Sequence, residues 1–411
     1  MSLKKRILPR RSKRLLKDRE RLQKYGEWLF YAAVILELAI YTLKKYDIVF
    51  AHQTWILRGI TALLCCKILI TKYTRHEYVL IGALSVLGIA AYFLSGRGID
   101  VLFRASVLIL ASKGVSCKRV FLAVGASVMI VFAGWGIQSF LGMRPLYMIQ
   151  QFGRGEDELR YCFGYSHPNT FHYAAWMLVT IGIYLWHDKM KGYHYALLSV
   201  FAIVITVLTR SRTGGILMLA TILLFFVADR TEKAGKRQKL PYALSALLTV
   251  ILMTGSSLPI IFGYKDNILR YANQLLNNRF EMARAAVRFD RVLQVSLFSD
   301  PSNEIQVDMG FVRVAYTYGW IPTILFAGCI FYLIFQAYRT QNRWNLVLIT
   351  MTVCYTALEA VQVNSGILYN FVIIMMIGNW AQYRVLLPAG VENAEASMGG
   401  KHAGTDAEKL V

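Results

Sequence analysis

Charged residues and cysteines are scarce in this chain, and their scarcity excludes several classes of protein. Only 17% of the 411 residues are charged, whereas 56% are hydrophobic and occur in long blocks. A soluble domain of this size rarely carries so little charge, and each block approaches the roughly 20 residues that cross the hydrocarbon core as a helix. The composition therefore predicts a polytopic α-helical membrane protein.

The six cysteines have neither the spacing of a metal site nor that of a disulfide framework. Most lie inside or beside apolar runs, where they act as small hydrophobic side chains. Acidic residues are also few, 24 against 46 Lys and Arg, which leaves a net charge of +22. In a soluble chain this excess would suggest nucleic acid, but membrane topology accounts for much of it, and no nucleic-acid partner is expected.

Twelve apolar blocks predict about twelve transmembrane helices in an all-α fold. They occupy approximately residues 27–46, 54–71, 78–95, 99–112, 119–142, 170–187, 194–209, 213–228, 241–262, 311–337, 344–362 and 366–384.

Lys and Arg in the connecting loops predict the orientation, because cytoplasmic loops carry the excess of these residues. Residues 1–26 form a basic arm with eleven Lys and Arg between Lys4 and Lys24. The arm has no cleavage signature, so we expect an uncleaved cytoplasmic N-terminus. With twelve spans every inner loop is basic and both termini are cytoplasmic. Residues 385–411 are expected to form a polar, disordered cytoplasmic tail after the membrane domain 27–384.

Several arginines nevertheless fall on the external side. Arg210 and Arg212 lie in the outward turn TRSRTGG (209–215), where Gly214 and Gly215 allow close backbone approach and Thr213 is a possible helix cap. A guanidinium group suits bidentate contacts with phosphate. The plainer alternative is that these side chains reach lipid headgroups or pair with a loop carboxylate. The external loops 143–169 and 263–310 add further cations: Arg144, Arg154, Arg160, Lys265, Arg270, Arg279, Arg284, Arg288 and Arg291.

The stretch YSHPNT (165–170) lies immediately before a predicted span. His167-Pro168-Asn169 predicts a rigid turn that leads into a helix, with Asn169 or Thr170 as its cap. His167 either contacts a sugar hydroxyl or transfers a proton, or it only stabilises the helix entry. The residues alone leave both interpretations open.

Asp308 occurs where the loop 263–310 runs into a span, directly before Met309-Gly310. A carboxylate at the outer boundary can act as the general base for a hydroxyl nucleophile. Alternatively it is a negative charge that favours a helix N-terminus. Within the same loop, residues 277–294 have helical character, and the spacing of Arg284, Arg288 and Arg291 places them on one face of the helix. The alternative is a solvated amphipathic helix that lies on the membrane surface.

Four motifs in order, GYSHPN, SRTGG, NNRF and VDMGFVRVAYTYG, resemble those of the bacterial superfamily of O-antigen ligases and polysaccharide polymerases, over about residues 27–384. The resemblance implies a GT-C-like membrane fold with a large external loop over the site. It also implies metal-independent glycosyl transfer from polyprenyl pyrophosphate at the outer face of the cytoplasmic membrane. No cofactor is expected.

The same resemblance implies roles for single residues. Arg212 and Arg279 would contact the pyrophosphate, and Arg210 and Arg288 are cations that would assist them. His167 would belong to the catalytic site, with Asn169 beside the glycan. Asp308 stands where the ligases carry a histidine, which favours a polymerase and makes Asp308 a candidate base.

The resulting hypothesis is a polysaccharide polymerase that transfers a growing glycan from polyprenyl pyrophosphate to a lipid-linked repeat unit. A flippase and a chain-length regulator are possible partners. One alternative is a ligase that moves finished glycan to another acceptor. Another is a transporter or lipid flippase, which predicts charges near mid-membrane. The main charges within spans are Arg58, Lys67 and Arg104, and all three can lie near interfaces.

Overall fold

The computed structural model describes residues 10–44, 53–94, 100–151, 157–232, 238–263, 267–276, 278–286, 297–298, 307–364 and 367–381. Most of these residues lie in helices. The helices are α1 (Arg10–Lys44), α2 (Gln53–Ile70), α3 (Arg75–Leu94), α4 (Asp100–Ala111), α5 (Cys117–Phe140), α6 (Pro168–Trp186), α7 (Gly192–Thr209), α8 (Arg212–Glu232), α9 (Leu240–Phe262), α10 (Asn267–Leu275), α11 (Arg279–Ala286), α12 (Gly310–Tyr318), α13 (Trp320–Thr340), α14 (Arg343–Leu358), α15 (Val361–Asn364) and α16 (Phe371–Ala381). Two 3-10 turns lie at His187–Lys189 and Ile367–Tyr369.

Five of the described helices are long and apolar enough to cross a membrane, namely α5, α7, α8, α9 and α13. Large hydrophobic side chains such as Ile130, Val207 and Ile324 are exposed on their outer faces, which suits lipid rather than water. The chain is thus a mostly helical protein with the apolar helices of a membrane protein. The number of twelve spans and the GT-C-like fold stay predictions.

The first helix begins earlier than the predicted span. The apolar block predicts a start near residue 27, but α1 already begins at Arg10, directly after Pro9. No proline or glycine occurs between Arg10 and Tyr25, and the Lys, Arg, Leu and Glu residues of this stretch favour helix. Helix propensity therefore joins the described part of the basic arm to the apolar block in one element.

The predicted span 311–337 is two helices in the structure. Gly319 has a φ of 98° and separates α12 from α13. The backbone N–H of Ile321, in the first turn after the break, donates to the carbonyl of Leu297 at 3.1 Å. A glycine accepts this backbone conformation without a Cβ clash, so α12 is a separate nine-residue helix.

The main core centres on α6 and α14. Trp176 of α6 and Tyr355 of α14 are fully buried, with ring centroids 4.6 Å apart. The indole Nε1 of Trp176 donates to Thr221 Oγ1 of α8 at 2.8 Å, and Phe371 of α16 packs edge-on against the same ring. The buried indole N–H thus has a hydrogen-bond partner, so its burial carries no unsatisfied-donor penalty. The contacts of Trp176 join α6, α8, α14 and α16 in one buried layer.

Two of the three main charges inside the predicted spans, Lys67 and Arg104, are buried and have polar partners, whereas Arg58 is exposed. Arg104 of α4 forms a salt bridge with Glu37 of α1, and Lys67 of α2 donates to the carbonyl of Lys113 at 3.1 Å. The expectation that Lys67 and Arg104 lie near interfaces did not include these partners. Pairing is what makes a buried charge tolerable, because removal from water costs several kcal/mol per ion.

Segments predicted to lie on one side of the membrane contact one another. At one end of the helices, Lys113 pairs with Glu77 at 2.6 Å, and the N–H of Gln238 donates to Gln341 Oε1 at 3.0 Å. The other end collects the N-termini of α6, α8, α11 and α12 and the C-termini of α7 and α14. We call it the arginine end, because Arg160, Arg210, Arg212 and Arg279 lie there.

Candidate functional site

The turn between α7 and α8 presents two arginines. Arg210 has a φ of 49° and ends α7 in the left-handed conformation, and α8 begins two residues later at Arg212. Both side chains are exposed, whereas Ser211 between them is buried. The tight turn therefore directs two guanidinium groups away from the helices.

The glycines after this turn permit close helix packing. A Cβ on Gly214 would lie 2.5 Å from Nδ1 of His172 on α6, and one on Gly215 would meet the side chain of Thr206 on α7. Only residues without a Cβ fit such an approach, as the sequence predicts. The predicted cap is wrong, because Thr213 lies inside the first turn of α8: the left-handed Arg210 ends the preceding helix early enough for α8 to begin at Arg212.

The HPN segment is a helix entry. His167 has extended backbone and is the N-cap of α6, where its Nδ1 accepts a hydrogen bond from the N–H of Asn169 at 3.1 Å. Pro168 occupies the first helical position, which its fixed φ favours. The prediction that Asn169 or Thr170 caps the helix is wrong, since the imidazole takes that role and leaves the Asn169 side chain for other contacts.

A buried arginine ties the hairpin of loop 143–169 to the turn. Strand β1 (Tyr147–Gln151) pairs antiparallel with β2 (Asp157–Tyr161). Arg160 of β2 donates from Nε to the carbonyl of Thr209 at 2.8 Å and from Nη2 to Asn169 Oδ1 at 2.9 Å. Burial lowers the pKa of Arg160. The Arg160 side chain thus donates to one of the carbonyls that the end of α7 leaves without an intrahelical partner.

The centre of the arginine end is an ion pair between Arg279 and Glu359. Arg279 is the first residue of α11, and its Nη2 donates to Glu359 Oε1 at 2.5 Å. Glu359 follows directly after α14. The side chains are only 7% and 8% exposed. Asn169 Nδ2 donates to the same carboxylate oxygen at 3.3 Å, so a chain of contacts runs from Arg160 through Asn169 and Glu359 to Arg279.

Two buried nitrogen donors near this pair have no hydrogen-bond partner in the part of the chain that the structure describes. They are Nη1 of Arg279 and Nε2 of Gln362, which lies three residues after Glu359. A buried donor without an acceptor costs about 1–3 kcal/mol, and more when it is charged. Such donors are explained when a ligand or water supplies the acceptor.

Asp308 is exposed and lies two residues before α12. A Cβ on Gly310 would lie 2.5 Å from the carbonyl of Thr356, so the start of α12 is pressed against the last turn of α14. Asp308 consequently interacts electrostatically with both Arg279 and Glu359. Burial alone lowers the pKa of Arg279, but the charge and hydrogen bond of Glu359 outweigh it and raise the pKa.

The structure brings most of the predicted site residues to one place. Asn169 and Arg279 share a carboxylate oxygen, and His167 is held at the backbone of Asn169. Arg210 acts on Arg160 by charge repulsion, and Arg212 lies on the same turn.

Two groups of predicted residues lie outside this set of contacts. Asp308 is exposed at the edge of the arginine end. Arg288 and Arg154 lie outside the described residues.

Sequence reasoning missed Glu359, the residue that connects the others. A signal was present, because Glu359 is the only charged residue between Arg343 and Arg384. An ionisable group in an apolar span is by default a functional candidate with a buried partner. The sequence identifies Arg160 as an external cation, but none of its neighbours along the chain indicates that it is buried against Thr209.

Among the described residues, no three His, Cys, Asp or Glu side chains are grouped so as to hold a metal ion. The metal-independent reaction stays a prediction. No protein-family model, no curated protein and no solved structure matches this chain.

Proposed function

We propose that this chain is a polysaccharide polymerase. It would transfer a growing glycan from polyprenyl pyrophosphate to the sugar of a lipid-linked repeat unit at the outer face of the bacterial cytoplasmic membrane. The observation that carries the proposal is Arg279. Nη2 of this buried guanidinium is held by Glu359, whereas Nη1 has no acceptor among the described residues.

An anion is the ligand that such an arrangement favours. Nη1 of Arg279 supplies a buried charged donor, and the exposed Arg210 and Arg212 add two more positive charges at the same end. Hydrogen bonds between guanidinium groups and phosphate oxygens are charge-assisted and strong. Since Glu359 keeps Arg279 in place before any ligand arrives, this donor needs no reorganisation when it receives a phosphate oxygen.

Glycosyl transfer from pyrophosphate needs this kind of stabilisation. When the bond between the anomeric carbon and the phosphate oxygen breaks, the leaving pyrophosphate gains negative charge. Fixed donors aimed at that charge in a water-poor site lower the barrier, and removal of one such donor costs about 10²–10³-fold in rate. Three arginines at the end of apolar helices meet this requirement while the lipid tail stays beside the helices.

The proposal is tested with purified protein in detergent and a defined polyprenyl-pyrophosphate repeat unit. We expect a ladder of polymer products and release of polyprenyl pyrophosphate. Arg212→Gln and Arg279→Gln should each lose at least about 10²-fold of the polymer-forming rate. Arg270→Gln is the matched control, because Arg270 is an exposed arginine on α10 and its loss should leave the ladder unchanged.

Other outcomes separate the competing functions. Full-length polymer from a variant that carries both the Arg212→Gln and the Arg279→Gln change would contradict the proposal. In cells, loss of a polymerase leaves single repeat units on lipid, whereas loss of a ligase leaves long polymer there. A purified protein that moves lipid-linked sugar across a vesicle membrane and forms no glycosidic bond would instead be a transporter.

A further inference from the structure

The two carboxylate oxygens of Glu359 have different surroundings. Oε1 accepts from Arg279 Nη2 at 2.5 Å and from Asn169 Nδ2 at 3.3 Å. Oε2 accepts no hydrogen bond from any residue within the described ranges. The carboxylate is therefore held by one oxygen, while the other remains as an acceptor for a further donor.

We propose that Glu359 is the general base that takes the proton from the acceptor hydroxyl. This inference rests on the proposed glycosyl transfer and assigns a catalytic residue to it. Burial disfavours the charged form of the carboxylate, which a base must have before the reaction, whereas the hydrogen bonds from Arg279 and Asn169 favour that form. Because both bind Oε1, they also orient the side chain without occupying Oε2.

Glu359 satisfies this role better than the two residues that the sequence offers. Asp308 is exposed at the rim, where bulk water hydrates it. His167 uses Nδ1 to cap α6, which orients its ring for the helix entry. Glu359 forms a hydrogen bond with Arg279, the buried arginine that is proposed to hold the donor, so a hydroxyl at Oε2 would lie beside the leaving group.

The step balances within the two substrates and this side chain. The acceptor O–H donates to Oε2, and its proton passes to the carboxylate as the oxygen attacks the anomeric carbon. A new carbon–oxygen bond forms while the anomeric carbon–phosphate oxygen bond breaks. That electron pair stays on the pyrophosphate, next to Arg279 Nη1. The proton on Glu359 is then released to water or to the departing pyrophosphate.

Azide distinguishes a base from a residue that only positions others. Azide is an anionic nucleophile with no proton to lose, so it bypasses the base but still needs the donor site. Glu359→Gln should slow polymer formation by about 10²–10⁴-fold. Added azide should restore release of polyprenyl pyrophosphate from this variant and yield a glycosyl azide. Glu281→Gln is the matched control, since Glu281 is an exposed carboxylate two residues from Arg279, and both its polymer and its azide response should equal those of the wild type.

Two results would overturn the assignment. One is a Glu359→Gln variant that polymerises at the wild-type rate, and the other is a slow variant that azide does not rescue, which would give Glu359 a structural role only. Asp308→Asn is measured in parallel, because azide rescue of that variant alone would make Asp308 the base. If the wild-type protein forms no glycosidic bond, the proposed function itself has failed, and that result is distinct from both.

A second variant covers the case in which Glu359→Gln does not fold, as judged by its elution from a size-exclusion column in detergent. Glu359→Asp keeps the charge that Arg279 requires but withdraws the carboxylate by one methylene. Its polymer-forming rate should fall at least about ten-fold, with azide again accelerating donor cleavage. An unchanged rate with Glu359→Asp would count against direct proton transfer.

Discussion

The ion pair between Arg279 and Glu359 allows stability and activity to be separated in one experiment. Three variants are compared with the wild type: Arg279→Gln, Glu359→Gln and the double variant. Each single change leaves one charge buried without its partner, since the two side chains are only 7% and 8% exposed. The double change removes both charges and keeps groups of similar shape that can hydrogen bond.

The expected magnitudes follow from this burial. Breaking a buried pair from one side costs about 3–5 kcal/mol, whereas replacing both partners is often nearly neutral. The single variants should therefore unfold more easily than the wild type, and the double variant should recover most of the difference. Polymer formation should not recover, because a missing donor to the leaving pyrophosphate costs about 10²–10³-fold and the base is missing as well.

Unfolding in mixed detergent micelles measures the first quantity, and the product ladder from a defined lipid-linked repeat measures the second. Donor affinity is measured on the same samples, so that weak binding is not mistaken for slow chemistry. A double variant that regains both stability and polymer would refute the reasoning. It would mean that the pair only holds α11 against the end of α14.

Two further changes test the packing around the site. Gly214→Ala places a Cβ 2.5 Å from His172 Nδ1, so it should destabilise the protein by about 1–3 kcal/mol. Unfolding in detergent measures this loss, and an unchanged unfolding midpoint would contradict the close approach of α8 to α6. Glu37→Gln leaves the buried Arg104 without its ion-pair partner and should lower the free energy of unfolding by about 3–5 kcal/mol. Glu37→Leu combined with Arg104→Leu should lower it much less. The double leucine variant should still form polymer, and its inactivity would instead assign this pair to the site.

Part of the architecture follows from short-range features of the chain. Long apolar blocks predict helices, and five of the described helices are apolar and long enough for a membrane. The glycines at 214 and 215 predict a close helix contact, which the structure contains. Each of these properties belongs to consecutive residues, and for that reason it is readable without knowledge of the packing.

Helix ends were less predictable, because they depend on which local interaction prevails. The cap of α6 is His167 rather than Asn169 or Thr170, because the imidazole Nδ1 accepts the hydrogen bond from the N–H of Asn169. The break at Gly319 coincides with a hydrogen bond from Ile321 to the carbonyl of Leu297. Neither a propensity nor a hydropathy profile contains the competing partner.

The tertiary structure alone decides the composition of the arginine end. Hydropathy and loop charge are sums over neighbouring residues, so they indicate that Arg279 is an external cation and that Glu359 lies in an apolar block. They cannot indicate that the two charges, 80 residues apart, form a buried pair. That contact depends on how α11 packs at the ends of α6 and α14, and a carboxylate whose partner is unknown has no assignable chemistry.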